Sequence, residues 1–130
     1  MIAVDVGQEI PARSYEITRE QINEYAQASG DRNPIHLDED FARSVGLPGV
    51  IAHGMLDMGL LAQTVVDWAG DHHRLRELRC RFSGMVKPGD KLVCAGRVTA
   101  VGEAGIELEI WADNQAGERV LSKGYALLSR

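Results

Sequence analysis

The chain has 130 residues, and 14 Lys+Arg against 19 Asp+Glu leave a formal charge of −5; aromatics make up 5% against a hydrophobic fraction of 45%, so the apolar content is mostly aliphatic. The length suits one domain, read as residues 1–130, burying roughly two-thirds of its unfolded surface. No run reaches the ~18 apolar residues of a membrane span, an acidic chain without a basic stripe argues against nucleic-acid binding, and the aliphatic content argues against disorder.

The N-terminus carries Asp5 and Glu9 and no basic region, so no secretory signal is expected. Ile10 to Ile17 is a strand candidate, with Pro11 near its start. Thr18 then caps a helix, and Gln21 completes a T-x-x-Q capping-box pattern. Ile22, Tyr25, Ala26 and Ser29 follow at helical spacing until Gly30 ends the helix. A short helix is predicted from Asp38 to Val45, with acids in its first turn favoured by the helix dipole. Gly54 to Trp68 is the most apolar segment, polar only at Asp57, Gln63, Thr64 and Asp67. Apolar around most of its circumference, this helix is expected to be buried on several sides.

The remainder alternates in strand fashion. Leu78, Cys80 and Phe82 alternate with Glu77, Arg79 and Arg81, and Lys87-Pro88-Gly89-Asp90 is a turn by composition. Lys91 to Val101, Ile106 to Trp111 and Val120 to Leu128 follow as strands, separated by Gly-containing turns. Short turns between consecutive strands predict antiparallel hairpins. The expected fold class is α+β: one long buried helix against a curved antiparallel sheet. Cys80 and Cys94 lack CxxC spacing and read as free, largely buried thiols of a reducing, cytoplasmic compartment. His53, His72 and His73 do not stand at ligand spacings with Cys or carboxylates, so no metal site is expected, and His72-His73 reads as solvated loop.

Two local motifs carry chemistry. In Gly30-Asp31-Arg32-Asn33-Pro34-Ile35-His36, Gly30 releases the chain from its helix and Pro34 keeps Asn33 out of the α region. The resulting turn can bring Asp31 and His36 together as an acid/base pair. The bland reading is a turn that happens to hold a His. The second motif, Ala52-His53-Gly54-Met55, opens the apolar helix, whose first N–H groups lack partners and carry partial positive charge. Gly54 would let a substrate oxygen approach them, the arrangement an oxyanion needs; the bland reading is an ordinary helix start.

Together, Gly30-Asp31-x-Asn33-Pro34-Ile35-His36 and Ile51-Ala52-His53-Gly54-Met55-Leu56 resemble the signature of the MaoC-like hydratase/dehydratase family, which comprises (R)-specific enoyl-thioester hydratases and (3R)-hydroxyacyl-thioester dehydratases. Among its members the chain looks most like the short actinobacterial dehydratase subunits, in which a similar His-Gly-Met-Leu segment runs on to a Trp, as Trp68 does here. The resemblance implies a hot-dog fold, a long helix wrapped by an antiparallel sheet. It maps the catalytic pair onto Asp31 and His36, the oxyanion donor onto the Gly54 N–H, and a loop-positioning role onto Asn33, with His53 and Met55 beside the substrate. It further implies acyl-CoA or acyl-carrier-protein substrates, no cofactor, and a homodimer or a heterodimer with a motif-free paralogue. Which of Asp31 and His36 is the base stays open. The ordinary carboxylate range favours Asp31, leaving His36 to act as acid or to orient water.

Asp57 supports a rival reading, since hot-dog thioesterases carry a catalytic carboxylate on this helix; the alternative is an acid in the first turn meeting the helix dipole. Gly59 and Ala62 leave room on that helix for an acyl chain or simply for close packing. Arg79, Arg81, Lys87 and Lys123 are candidates for the phosphates of a CoA or pantetheine arm, although alternating Arg on a strand is commonly a solvated face.

Overall fold

The computed structural model describes residues 4–130; residues 1–3, which begin the stretch read as lacking a secretory signal, lie outside the described residues. The elements run β1 (Glu9–Glu16), α1 (Arg19–Ser29), a 3-10 turn (Pro34–His36), α2 (Glu39–Ser44), α3 (Gly54–Ala69), a second 3-10 turn (His72–Arg74), β2 (Leu75–Phe82), β3 (Lys91–Gly102), β4 (Gly105–Asp113) and β5 (Arg119–Leu128). They form one five-stranded sheet of order β1-β3-β4-β5-β2, antiparallel throughout, laid against α3.

Local chemistry explains most boundaries. The Thr18 hydroxyl accepts the Gln21 N–H at 3.0 Å, which starts α1. The reciprocal arm of the predicted capping box does not form, and Gln21 Oε1 is buried without a partner. Gly30 ends α1 at φ 80, a left-handed position that costs glycine little. Asp38 caps α2 through the Phe41 N–H at 3.1 Å. Along the sheet, Leu92, Cys94 and Val98 of β3, Leu108 and Ile110 of β4, and Ala126 and Leu128 of β5 point inward with strand alternation. They meet Leu56, Leu61, Val65 and Ala69 of α3. Full burial of one such Leu or Val stabilises by about 1.5–3 kcal/mol.

Two expectations are corrected. Only β3–β4 and β4–β5 are hairpins between consecutive strands; β2 pairs with β5, not with β3. The segment linking β2 to β3 is captured elsewhere. Val86 is buried and its carbonyl accepts the Ala52 N–H, while Gly89 and Asp90 bond the main chain of Ile17 beyond β1. That segment therefore crosses the molecule and leaves β2 to add to the far edge. Second, α3 is buried along one stripe, Leu56, Asp57, Leu61, Thr64, Val65 and Ala69, while Met55, Gly59, Gln63 and Asp67 face outward. A single curved sheet covers one side of a helix, so apolar residues on the other side stay open in this chain.

At Lys123 the chain bulges (φ 49), and Gly124 beside it passes so close to β4 that a Cβ there would lie 2.1 Å from the Ile110 carbonyl oxygen. Cys80 and Cys94 are free thiols. Burial pushes the Cys94 thiol up to about 12, which makes it inert packing. Among the described residues no helix is long and apolar enough to cross a membrane.

Candidate active site

The loop after α1 is built by short-range hydrogen bonds. Ser29 Oγ accepts the Asp31 N–H at 3.1 Å, Asp31 Oδ1 accepts the Asn33 N–H at 3.2 Å, and Asn33 Oδ1 accepts the Ile35 N–H at 3.2 Å. These successive side-chain turns lead into the 3-10 turn, with Pro34 at its first position, and swing His36 under the loop. His36 is buried, at 7% exposure. Its Nδ1 lies 2.7 Å from the Ile51 carbonyl oxygen. A carbonyl only accepts, so Nδ1 carries a proton, and Nε2 is the ring nitrogen turned toward Asp31. Asp31 Oδ2, on a half-exposed side chain, lies 4.0 Å from that Nε2. The separation is too long for a direct hydrogen bond. It suits two groups reaching for one small hydroxyl between them.

His53 lies behind this pair. Its Nε2–H donates to the Asp31 carbonyl at 2.9 Å, its ring stacks on His36 with centroids 3.8 Å apart, and Tyr25 of α1 packs on it at 4.8 Å. Expected at the substrate, His53 instead supports the loop that carries Asp31. Spacing along the chain foresaw no metal cluster, yet ligand atoms of Asp31, His36 and His53 lie within 4.8 Å of one another, as do those of Asp71, His72 and His73. In the first group His36 Nδ1 and His53 Nε2 are already committed to carbonyl oxygens.

His36 opens onto a pocket of about 370 Å³ whose walls also include Ile51, Gly54, Asp57, Phe82 and Met85, while Asp31 stands outside that lining, on the far side of the His36 Nε2. Gly54 is the first residue of α3, so its N–H has no acceptor within the helix, and the His53 side chain makes no capping bond. A Cβ on Gly54 would stand 3.0 Å from the Phe82 ring. Met55 turns away from the pocket to the outer face of α3, at 57% exposure. Asn33 shapes the loop and contributes nothing to the pocket wall.

Asp57 sits one turn into α3, at 3% exposure, on the same wall as Gly54. Its Oδ1 is buried without a hydrogen-bond partner, and burial pushes the carboxyl up to about 7. None of the four basic residues considered for phosphates lines this pocket. Arg79 pairs with Glu77 and lies over the Tyr125 ring, Arg81 and Lys123 are exposed, and Lys87 borders a neighbouring polar groove of about 410 Å³ that shares Gly84 and Met85 with the pocket. His72 and His73 are exposed, in a 3-10 turn rather than a plain loop. The Ile51 carbonyl that orients His36 and the Tyr25 ring behind His53 were not foreseen. A main-chain acceptor has no side-chain signature, and Tyr25 was legible only as part of an amphipathic stripe.

Comparison with known proteins finds a match to the family described as MaoC like domain over residues 3–112. The fatty acid synthase beta subunit hexB of Dothistroma septosporum is 35% identical over 103 residues, covering 76% of this chain and 5% of that protein. The chain thus spans about a twentieth of the length of that relative. Among solved structures, the (R)-hydratase from A. caviae involved in PHA biosynthesis superposes with a TM-score of 0.88 at 25% identity, covering 98% of this chain and 97% of that one. A chain of the ChsH1-ChsH2 complex from Mycobacterium tuberculosis gives 0.86 at 26% identity, covering 98% of each.

Proposed function

The chain belongs to the MaoC-like domain family, and on that premise we propose that it is a hydro-lyase, which reversibly hydrates trans-2-enoyl thioesters to (3R)-hydroxyacyl thioesters. The observation that carries this reading is the Asp31–His36 Nε2 approach of 4.0 Å beside a pocket that also receives the start of α3. The thioester carbonyl oxygen accepts the Gly54 N–H, and the helix terminus stabilises the negative charge that oxygen gains in an enolate-like transition state. Asp31 and His36 hold one water over C3. As the water oxygen bonds to C3, one of the pair removes its proton, and a proton is delivered to C2, so atoms and charge balance without a redox partner. Dehydration is the reverse. His53 keeps both catalytic groups aligned by holding the Asp31 carbonyl and backing the His36 ring.

The thioester carrier is CoA or an acyl-carrier protein. The working unit is a dimer, either of two copies or with a motif-free paralogue. The outward Met55 and the exposed Phe82 and Met85 near the pocket support such a partner. Free thiols fit a reducing, cytoplasmic setting.

The test is hydration of crotonyl-CoA, followed by loss of enoyl-thioester absorbance, with chiral analysis of the product. Asp31→Asn is expected to lower kcat/KM by at least ~100-fold with the fold intact; near-wild-type activity in that variant overturns the assignment. Asp57, the buried carboxyl on the pocket wall, favours a second reading, thioester hydrolysis. Release of free CoA thiol that disappears in Asp57→Ala would move the assignment there.

A further inference from the structure

The hydration chemistry leaves Asp57 unused. The pocket wall around it is largely apolar, with Ile51, Phe82, Met85 and Val86. Of the other polar side chains on that wall, His36 donates Nδ1–H to the Ile51 carbonyl and turns Nε2 to the hydration chemistry, and the Ser83 hydroxyl meets that of Ser122. Asp57 is 97% removed from solvent by its 3% exposure, has a buried oxygen with no partner, and has no basic residue among the causes that act on its carboxyl. Its charge acts on two thiols, Cys80 of β2 and Cys94 of β3, and His36 shares the pocket wall with it. A helix-dipole contact alone does not require burial in an apolar wall. Nor does such a wall suit a plain hydrocarbon chain, which would cover the carboxyl and leave it unpaired.

We propose that Asp57 is a specificity-determining residue that hydrogen-bonds a hydroxyl carried on the acyl chain, so that the preferred substrates are hydroxylated enoyl thioesters. The inference rests on the hydration reading and names its substrate class. Depth decides which part of the substrate reaches Asp57. The carrier arm must leave through the pocket mouth, where Phe82 and Met85 are about half exposed, whereas Asp57 is enclosed. Three residues separate Asp57 from Gly54, about 4.5 Å along the helix axis. With the carbonyl at Gly54, that distance reaches past C4 of an extended acyl chain, so a hydroxyl on C5 or C6 comes level with Asp57. Burial pushes the carboxyl up to about 7, and in either protonation form a carboxyl oxygen accepts a hydrogen bond from a hydroxyl.

The experiment compares trans-2-hexenoyl-CoA with its 5-hydroxy and 6-hydroxy derivatives, using the intact chain and its Asp57→Leu and Asp57→Asn variants. The wild-type protein is expected to favour at least one hydroxylated substrate by about 10-fold in kcat/KM, the effect of one hydrogen bond. Asp57→Leu is expected to bring that ratio to one or below, and Asp57→Asn, whose amide oxygen still accepts, to retain part of it. A wild-type ratio of one or less for both derivatives overturns the inference, as does an undiminished ratio in Asp57→Leu. Should Asp57→Leu fail to fold, the wild-type ratio still decides. Failure to hydrate even crotonyl-CoA would remove the hydration reading, and the inference with it; turnover without discrimination removes the inference alone.

Discussion

Replacing Asp57 by Asn keeps the shape of the side chain and removes its titration. In the folded chain the carboxyl is pushed from its usual 3.8 up to about 7 by burial. The folded state therefore binds more protons than the unfolded state between about pH 4 and pH 7. Stability is fully supported below that window and declines as pH rises through it, because the folded protein must either hold an unpaired buried charge or keep a costly proton. An interval from 3.8 to about 7 corresponds to about 4 kcal/mol at 1.36 kcal/mol per pKa unit. The wild-type protein should lose up to about 4 kcal/mol to this group by pH 8, whereas Asp57→Asn should lose nothing to it. Urea unfolding at fixed protein concentration, at several pH values from 4 to 8, measures both curves. The expected result is a gap that is small at pH 4 and widens in favour of the variant up to about pH 7. Parallel curves across the range would refute the picture of a buried, unpaired carboxyl. A gain in stability at the pocket wall, with a loss of substrate discrimination, is the pattern of a site held against its own stability.

His53→Phe keeps a ring beside His36 and Tyr25 but leaves the Asp31 carbonyl without its donor. Steady-state kinetics should show kcat for enoyl hydration down by about 10-fold with KM little changed, since His53 does not line the pocket. Thr18→Ala should cost about 1 kcal/mol in urea unfolding through loss of the α1 cap, and Thr18→Ser should restore most of it. Gly124→Ala should destabilise by at least ~3 kcal/mol or prevent folding, because its Cβ would strike the Ile110 carbonyl; Gly102→Ala, with open space around it, is the matched control and should change little.

The readable parts of the sequence were those set by neighbours along the chain. Thr18 and Gly30 bracket α1 through bonds spanning three or four residues, and inward positions of β3, of β4 and of β5 beyond its bulge follow from alternation. The turn through Asp31, Asn33 and Pro34 is likewise local, each side chain bonding the main chain two residues on. The capping-box arm of Gln21 does not form: its Oε1 is buried without a partner, a placement the T-x-x-Q pattern does not encode.

The candidate site divides the same way. The turn that carries Asp31 and His36 was legible from its motif. That the His53 ring bonds the loop carrying Asp31 was not, because the bond reaches a carbonyl 22 residues away in sequence. The displacement of β2 to the β5 edge also required the fold, since the segment after it is held by Ala52 and Ile17, far from it along the chain. Sequence alone determined the main helices and strands, the Thr18 cap and the chemistry-bearing loop, all products of short-range spacing, and its two motifs carried the family resemblance. Tertiary structure alone decided the strand order, the 4.0 Å approach of Asp31 to His36, and the enclosure of Asp57 without a partner. Burial and hydrogen-bond partnership depend on which distant segments pack together, a property no local pattern carries.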